Sequence, residues 1–134
     1  MTTEMNTMKN IVYMIVLVML PVFSYSNNVQ VTNLTKTGSS VTFDLTWENS
    51  WYVGFTYHDA VWIFLKQSPN GGSAWQHVNV SSATVDGGYA VELPSDQVGF
   101  FVRRSSTGNG TASTSVTVDM TGLVGVFQDI KVMA

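Results

Sequence analysis

Apolar and polar positions alternate with a period of two along much of the chain after residue 26. In the clearest stretch Val41, Phe43, Leu45 and Trp47 share one face, while hydroxyl and acidic side chains share the other. No window carries three turns of helical periodicity. Short alternating runs separated by Gly, Asn, Ser and Pro clusters predict an all-β protein.

The alternation predicts seven or eight short strands, with turn residues about every ten positions. The predicted runs are residues 29–34, 41–48, 60–66, 74–80, 89–93, 99–104, 113–120 and 126–133. Residues typical of turns occur at Gly38, in the segment 68–73 and at Gly87-Gly88. This arrangement is typical of an immunoglobulin-like or fibronectin type III-like β-sandwich of antiparallel strands.

The third predicted strand departs from simple alternation because both of its faces are apolar. One face carries Val61, Ile63 and Leu65, and the other carries Ala60, Trp62 and Phe64. Both faces therefore require cover. Either the segment 49–59 folds back over the outer face, or the strand offers an aromatic strip to a neighbouring domain.

Residues 1–26 have the composition of a leader and secretory signal peptide. Lys9 precedes an apolar run over 11–23, and the small residues Ser24 and Ser26 favour cleavage after Ser26. The run of roughly 13 residues is shorter than the roughly 20 that span a membrane. We expect a secreted protein, periplasmic or at the cell surface, that contacts membrane only through an uncleaved signal segment.

The remaining residues, 27–134, have room for a single β-sandwich domain, and 45% hydrophobic content supplies a core. A net charge of −3 with only six Lys plus Arg argues against nucleic acid as a partner. The absence of cysteine excludes disulfides, thiolate metal ligands and a cysteine nucleophile.

Five aromatic residues are the predicted contacts for a ligand or partner. They are Trp51, Tyr52, Tyr57, Trp62 and Trp75. Flat aromatic faces suit sugar rings, so a platform on the sheet would bind carbohydrate. The alternative is that these side chains pack in the core or against another domain.

The sequence gives little support for a catalytic or metal-binding site. His58-Asp59 with His77 and Glu48 would be a metal set, but their spacing matches no compact metal motif. No serine lies in a nucleophile elbow. We therefore predict no catalytic, cofactor-binding or metal-binding residues, and a protein that is not an enzyme.

A set of ordered motifs resembles a known family. The motifs are Val29-Gln30-Val31, Trp47-Glu48-Asn49-Ser50-Trp51, His58-Asp59-Ala60-Val61-Trp62-Ile63-Phe64-Leu65-Lys66, Trp75-Gln76-His77 and Gly99-Phe100-Phe101-Val102-Arg103-Arg104-Ser105. In this order they resemble the N-terminal β-sandwich module of secreted bacterial proteins of the formylglycine-generating enzyme, or sulfatase-modifying factor, family.

In that family a strand similar to residues 129–134 leads into an enzyme-like domain, and this sequence stops where that domain would begin. We expect a separately encoded relative of the module, a truncated product or a fragment of a longer reading frame. That domain holds copper through cysteine thiolates, none of which maps onto this sequence. We therefore expect an exported, non-catalytic interaction or spacer module whose partner is a neighbouring domain or a partner chain. The alternatives are a small carbohydrate-binding domain and a subunit of a surface fibre or assembly.

Overall fold

A computed structural model describes residues 27–121 and 129–134. The predicted signal peptide, and residues 126–128 of the predicted last strand, lie outside these ranges. Nine strands are present in the described part: β1 (Gln30–Thr37), β2 (Ser40–Gly54), β3 (Tyr57–His58), β4 (Val61–Ser68), β5 (Gln76–Val85), β6 (Tyr89–Glu92), β7 (Gly99–Arg104), β8 (Gly108–Thr121) and β9 (Asp129–Met133). Over these ranges no helix has the length and apolar character needed to cross a membrane.

The prediction of an all-β sandwich is confirmed, with nine strands in place of the expected seven or eight. All nine belong to one antiparallel hydrogen-bonded sheet that contains two half-sheets. The first half-sheet comprises β1, β2, β3, β8 and residues 79–85 of β5; the second comprises β4, β6, β7, β9 and residues 76–78 of β5. The pairing of β5 shifts between Val80 and Ser82, and such bulges let one strand pass from one sheet to the other.

The inward positions of both half-sheets form a single core. It contains Val41, Phe43, Leu45, Trp47, Val61, Ile63, Leu65, Val78, Val80, Phe100, Val102, Ala112, Val116, Val118 and Met120. These positions follow the alternation read from the sequence, because successive side chains of a strand point to opposite faces. Burial of this apolar surface is the main force that holds the two half-sheets together.

The strand β2 is longer than expected and does not end before Asn49. Its register with β8 shifts between Trp47 and Ser50, where Asn49 takes a φ of 56°. Beyond this bulge β2 pairs with the first residues of β8, starting at Gly108. Segments 49–59 and 105–110, which lie between the predicted strands, are therefore partly strand, since bulges restore pairing after an irregular residue.

Candidate functional site

The outward side of the second half-sheet carries aromatic and cationic side chains, and we call it the aromatic face. Directly paired residues of antiparallel strands lie on the same side of a sheet, so the register fixes its membership. From β4 the face takes Trp62, Phe64 and Lys66, which are half-buried. Their partners on the neighbouring strands extend it, together with Trp75: His77, Gly99, Phe101, Lys131 and Met133. Beyond Phe101 the same side continues to Glu92 of β6, which forms a salt bridge with Arg103.

One end of the aromatic face is built around Trp62 and Phe101. Their ring centroids lie 4.6 Å apart at an angle of 54°, a tilted contact that aromatic pairs favour. Gly99 creates the space for the indole, because a Cβ at this position would lie 2.6 Å from Cζ2 of Trp62. Phe101 is 37% exposed, so this aromatic pair is open to solvent along one side.

The other end of the aromatic face combines rings with cations. Phe64 and His77 lie 5.5 Å apart between ring centroids. Nζ of Lys131 lies 4.0 Å from the ring centroid of Trp75, and Nζ of Lys66 lies 6.0 Å from that of Phe64. Both cations are within the range at which an ammonium group is attracted to an aromatic face.

The two lysines of the aromatic face oppose each other directly across β4 and β9. Lys66 pairs in register with Lys131 on one side and with His77 on the other. Within residues 27–121 and 129–134, no salt bridge joins Lys66 or Lys131 to a described carboxylate. Asp129 lies two residues from Lys131 on the same side of β9.

A second exposed region is the hairpin formed by the end of β2 and β3, which we call the hairpin tip (residues 51–58). Val53, Phe55 and Tyr57 are exposed by 70%, 71% and 69%, and Trp51 by 41%. Tyr52 is less exposed because its ring stacks on His58 at 5.6 Å between centroids. Large apolar side chains exposed to this degree within one turn form an apolar patch.

Arg103 connects the hairpin tip to β7. Its guanidinium carbon lies 5.5 Å from the ring centroid of Tyr52 and 5.4 Å from that of Phe55. Its Nε donates to Oε1 of Glu92 on β6 over 2.5 Å. The side chain of Arg103 is 11% exposed, so its charge is compensated by one carboxylate and two aromatic faces.

The five predicted contact residues divide between these two regions. Trp51, Tyr52 and Tyr57 lie in the hairpin tip, while Trp62 and Trp75 lie on the aromatic face. The main chain of Trp51 accepts from the Asp59 amide near the start of β4, whereas Gln76, next to Trp75, pairs with Gln67 near its end. Six residue steps of β4 separate Val61 from Gln67, or about 20 Å. Trp51 and Trp75 therefore lie near opposite ends of β4.

The expectation that the segment 49–59 covers the outer face of β4 is not met by its aromatic residues. Tyr52 and Phe55 lie over Arg103 of β7, and Trp51 and Tyr57 remain exposed. The ring partner of Trp62 is Phe101, which lies in a different strand from that segment. Outer cover of β4 is therefore supplied by its neighbouring strands and is incomplete.

The polar residues considered for chemistry do not converge. His58 contacts Tyr52 and Phe55, whereas His77 contacts Phe64 on the aromatic face. In the described part of the chain, no three His, Asp or Glu side chains are arranged to hold a metal ion. Asp59 instead accepts hydrogen bonds from the hydroxyl of Ser50 and the amide of Trp51, which connects β2 to the chain before β4.

Residues that complete the aromatic face were missed from the sequence. Phe101, Lys131 and Gly99 come from strands other than that of Trp62, and only the strand order brings them together. A partial signal was present in the run Gly99-Phe100-Phe101, in which alternation places Phe101 on the outer side.

Comparison with known proteins adds no relative to this description. No family model, no curated protein and no solved structure matches the chain, so a functional assignment rests on its surfaces.

Proposed function

We propose that this chain is an exported, non-catalytic β-sandwich module that binds a partner through its aromatic face, and that it is related to the N-terminal module of formylglycine-generating-type proteins. The observation that carries the proposal is the composition of that face. The aromatic pair Trp62 and Phe101, and the cations Lys66 and Lys131, lie on one side of a sheet whose opposite side is the core.

Physical chemistry favours binding at this surface over a purely structural role. A sheet face that only meets water normally carries polar side chains, as antiparallel sheets with one solvated face do. Aromatic residues are enriched where proteins contact partners, because they bury a large area at a small cost in side-chain entropy. A flat sheet surface suits an extended partner better than a small molecule, which binds in concave sites.

The test is hydroxyl-radical labelling of the purified chain, with and without an envelope extract of the cells that produce it. We expect labelling of Trp62, Phe101 and Met133 to fall in the presence of the extract, while labelling of Leu34 on β1 stays constant. A Trp62→Thr variant should lose the protection, and Thr42→Val on the opposite half-sheet should keep it. Unchanged labelling of the aromatic face in every fraction of the extract would overturn the proposal.

A second candidate function is protein contact through the hairpin tip. It is favoured by the 69–71% exposure of Val53, Phe55 and Tyr57, and by the position of the Phe55 ring over the guanidinium of Arg103. The same labelling experiment separates the two functions. Protection confined to the hairpin tip would favour this candidate, in which the partner is a neighbouring domain or a partner chain.

A further inference from the structure

We infer that the aromatic face binds an acidic polysaccharide, with sugar rings on Trp62, Phe101 and Phe64 and with carboxylate or sulfate groups at Lys66 and Lys131. This inference rests on the proposed function, because it names the chemical class of the partner that the aromatic face binds.

The charge of the face is the first observation. Like charges directly opposite each other on neighbouring strands destabilise a sheet, and Lys66 opposes Lys131 in this way. His77 extends the same row on the other side of Lys66. An anion above the row would offset the repulsion, and a protein with a net charge of −3 otherwise has little attraction for anions.

The second observation is the order in which aromatic and cationic side chains follow one another along β4. Trp62, Phe64 and Lys66 follow one another along β4 at alternate residues, so they are spaced by roughly 7 Å. Trp75 lies beyond them, under the ammonium group of Lys131. A linear ligand that runs along β4 therefore meets aromatic rings first and then a pair of cations.

The main chain of the sheet favours a sugar over an extended acidic peptide. The main-chain groups of β4 pair with β7 and β5 along residues 61–67 on one side, and with β9 along residues 64–68 on the other. A peptide lying on the face would bury its own amides without partners, which is costly. Sugar hydroxyls keep contact with water and receive hydrogen bonds from Lys66, Lys131 and His77.

The experiment is affinity electrophoresis and calorimetry of the chain with polygalacturonate, alginate, hyaluronan and chondroitin sulfate. Each polymer is compared with its carboxyl-reduced form, which for chondroitin sulfate is also desulfated so that no anionic group remains, and poly-glutamate serves as the acidic peptide. We expect at least one acidic polymer to bind, and its reduced form to bind at least tenfold more weakly. Raising the salt from 50 to 500 mM should weaken binding because the contacts are exposed ion pairs.

Variants locate the binding on the chain. The double variant Lys66→Gln/Lys131→Gln should weaken binding at least tenfold, and each single variant should weaken it less. Lys36→Gln, which removes one positive charge from the other half-sheet, is the control for the single variants and should leave binding unchanged. Trp62→Thr should weaken binding to the acidic polymer and to its reduced form alike. Thermal unfolding of each variant checks that the fold is kept.

The outcomes separate this inference from the proposed function. If no acidic polymer binds, or if the reduced forms bind equally well, the inference is wrong, although protection of the aromatic face by envelope extract would leave the proposed function standing. Binding of poly-glutamate alone would also overturn the inference in favour of an acidic protein partner. If a polymer binds and Lys66→Gln/Lys131→Gln has no effect, the site lies elsewhere.

Discussion

The outward sides of the two half-sheets differ in how their side chains are used. On the first half-sheet, hydroxyl groups pair across strands: Oγ1 of Thr42 lies 3.2 Å from Oγ1 of Thr117, and Oγ1 of Thr46 lies 3.3 Å from Oγ of Ser113. On the second half-sheet, the corresponding outward positions hold Trp62, Phe64 and Lys66. The first side satisfies its own polar groups, while the second exposes rings and cations.

This difference arises although both sides belong to the same sandwich and share one core. The inward positions of β2 and β4 are similar, since both supply buried aliphatic or aromatic side chains, with Gln67 of β4 as a buried polar exception. The outward positions differ more, and whether their side chains are polar or apolar has less influence on whether the sandwich forms. The aromatic face is therefore where the sequence departs from what folding alone requires.

The substitution expected to change the free energy of unfolding most is one that fills the space at Gly99 on the aromatic face. In Gly99→Ala the new Cβ would collide with the indole of Trp62 and with the carbonyl oxygen of Ile63. We expect a loss of about 1–3 kcal/mol in the free energy of unfolding, because overpacking forces the backbone to shift. Urea denaturation followed by tryptophan fluorescence measures it.

The control for that substitution is Gly87→Ala, where a Cβ would meet nothing within 4 Å. Removing a glycine from an open position is close to neutral, or stabilising by a few tenths of a kcal/mol. An unfolding midpoint of Gly99→Ala equal to that of Gly87→Ala would show that the indole is not held over Gly99.

A smaller effect is expected where the aromatic face meets the hairpin tip. Glu92→Ala leaves the guanidinium of Arg103, whose side chain is 11% exposed, without its carboxylate partner. We expect a loss of about 1–2 kcal/mol, less than for a fully buried pair because Glu92 itself is 40% exposed. Chemical denaturation measures the loss, and cleavage by chymotrypsin at Tyr57 reports whether the hairpin tip loosens.

Glu48→Ala is the matched control, because Glu48 is exposed and accepts a hydrogen bond from Asn28 over 3.1 Å at the surface. Its expected effect is within about 0.5 kcal/mol. Equal losses in the two variants would mean that Arg103 gains no stability from the contact with Glu92.

The sequence predicted the sandwich better than it predicted the site, and β2 and β4 show why. In β2 the alternation of Val41, Phe43 and Leu45 with hydroxyl residues is a local signal, and it correctly identified the core. The aromatic face depends on which strands lie beside β4, and this order is non-local. The partners Phe101 and Lys131 could therefore not be assigned to Trp62 and Lys66 from the pattern alone.

Strand ends were predicted poorly for a related reason. The bulge at Asn49 interrupts alternation, so residues 50–54 read as loop although residues 50–52 pair with the start of β8 and the strand continues to Gly54. An irregular residue breaks the pattern in the sequence without ending the hydrogen-bonded ladder. The hairpin tip contains three of the five predicted contact residues. It forms because β2 continues beyond Asn49, which the pattern in the sequence does not show.

A still smaller effect is expected on the first half-sheet. Thr42→Val and Thr117→Val each remove one hydroxyl of a cross-strand pair but keep the branched side chain that suits a strand. We expect each to change the free energy of unfolding by about 0.5 kcal/mol or less, and to leave polymer binding unchanged. A loss of binding in either variant would show that the hydroxyl side also contributes to recognition.

The smallest effect concerns Asp119 on the same half-sheet, and it disappears in acid. Hydrogen bonds from the hydroxyl of Ser40 and, at 2.8 Å, from that of Ser82 lower the pKa of Asp119 below its ordinary value of 3.8. A lowered pKa in the folded state means that the ionised carboxylate stabilises the fold above about pH 3.8 and that this contribution is lost as the pH falls through the lowered pKa. Asp119→Asn should therefore be less stable than the wild type at pH 7, with a difference that shrinks below pH 4 in urea denaturation. A difference that stays constant from pH 7 to pH 2 would mean that the two serine hydroxyls do not favour the ionised form of Asp119. On the outward side of the first half-sheet, only the neutral hydroxyl groups would then stabilise one another.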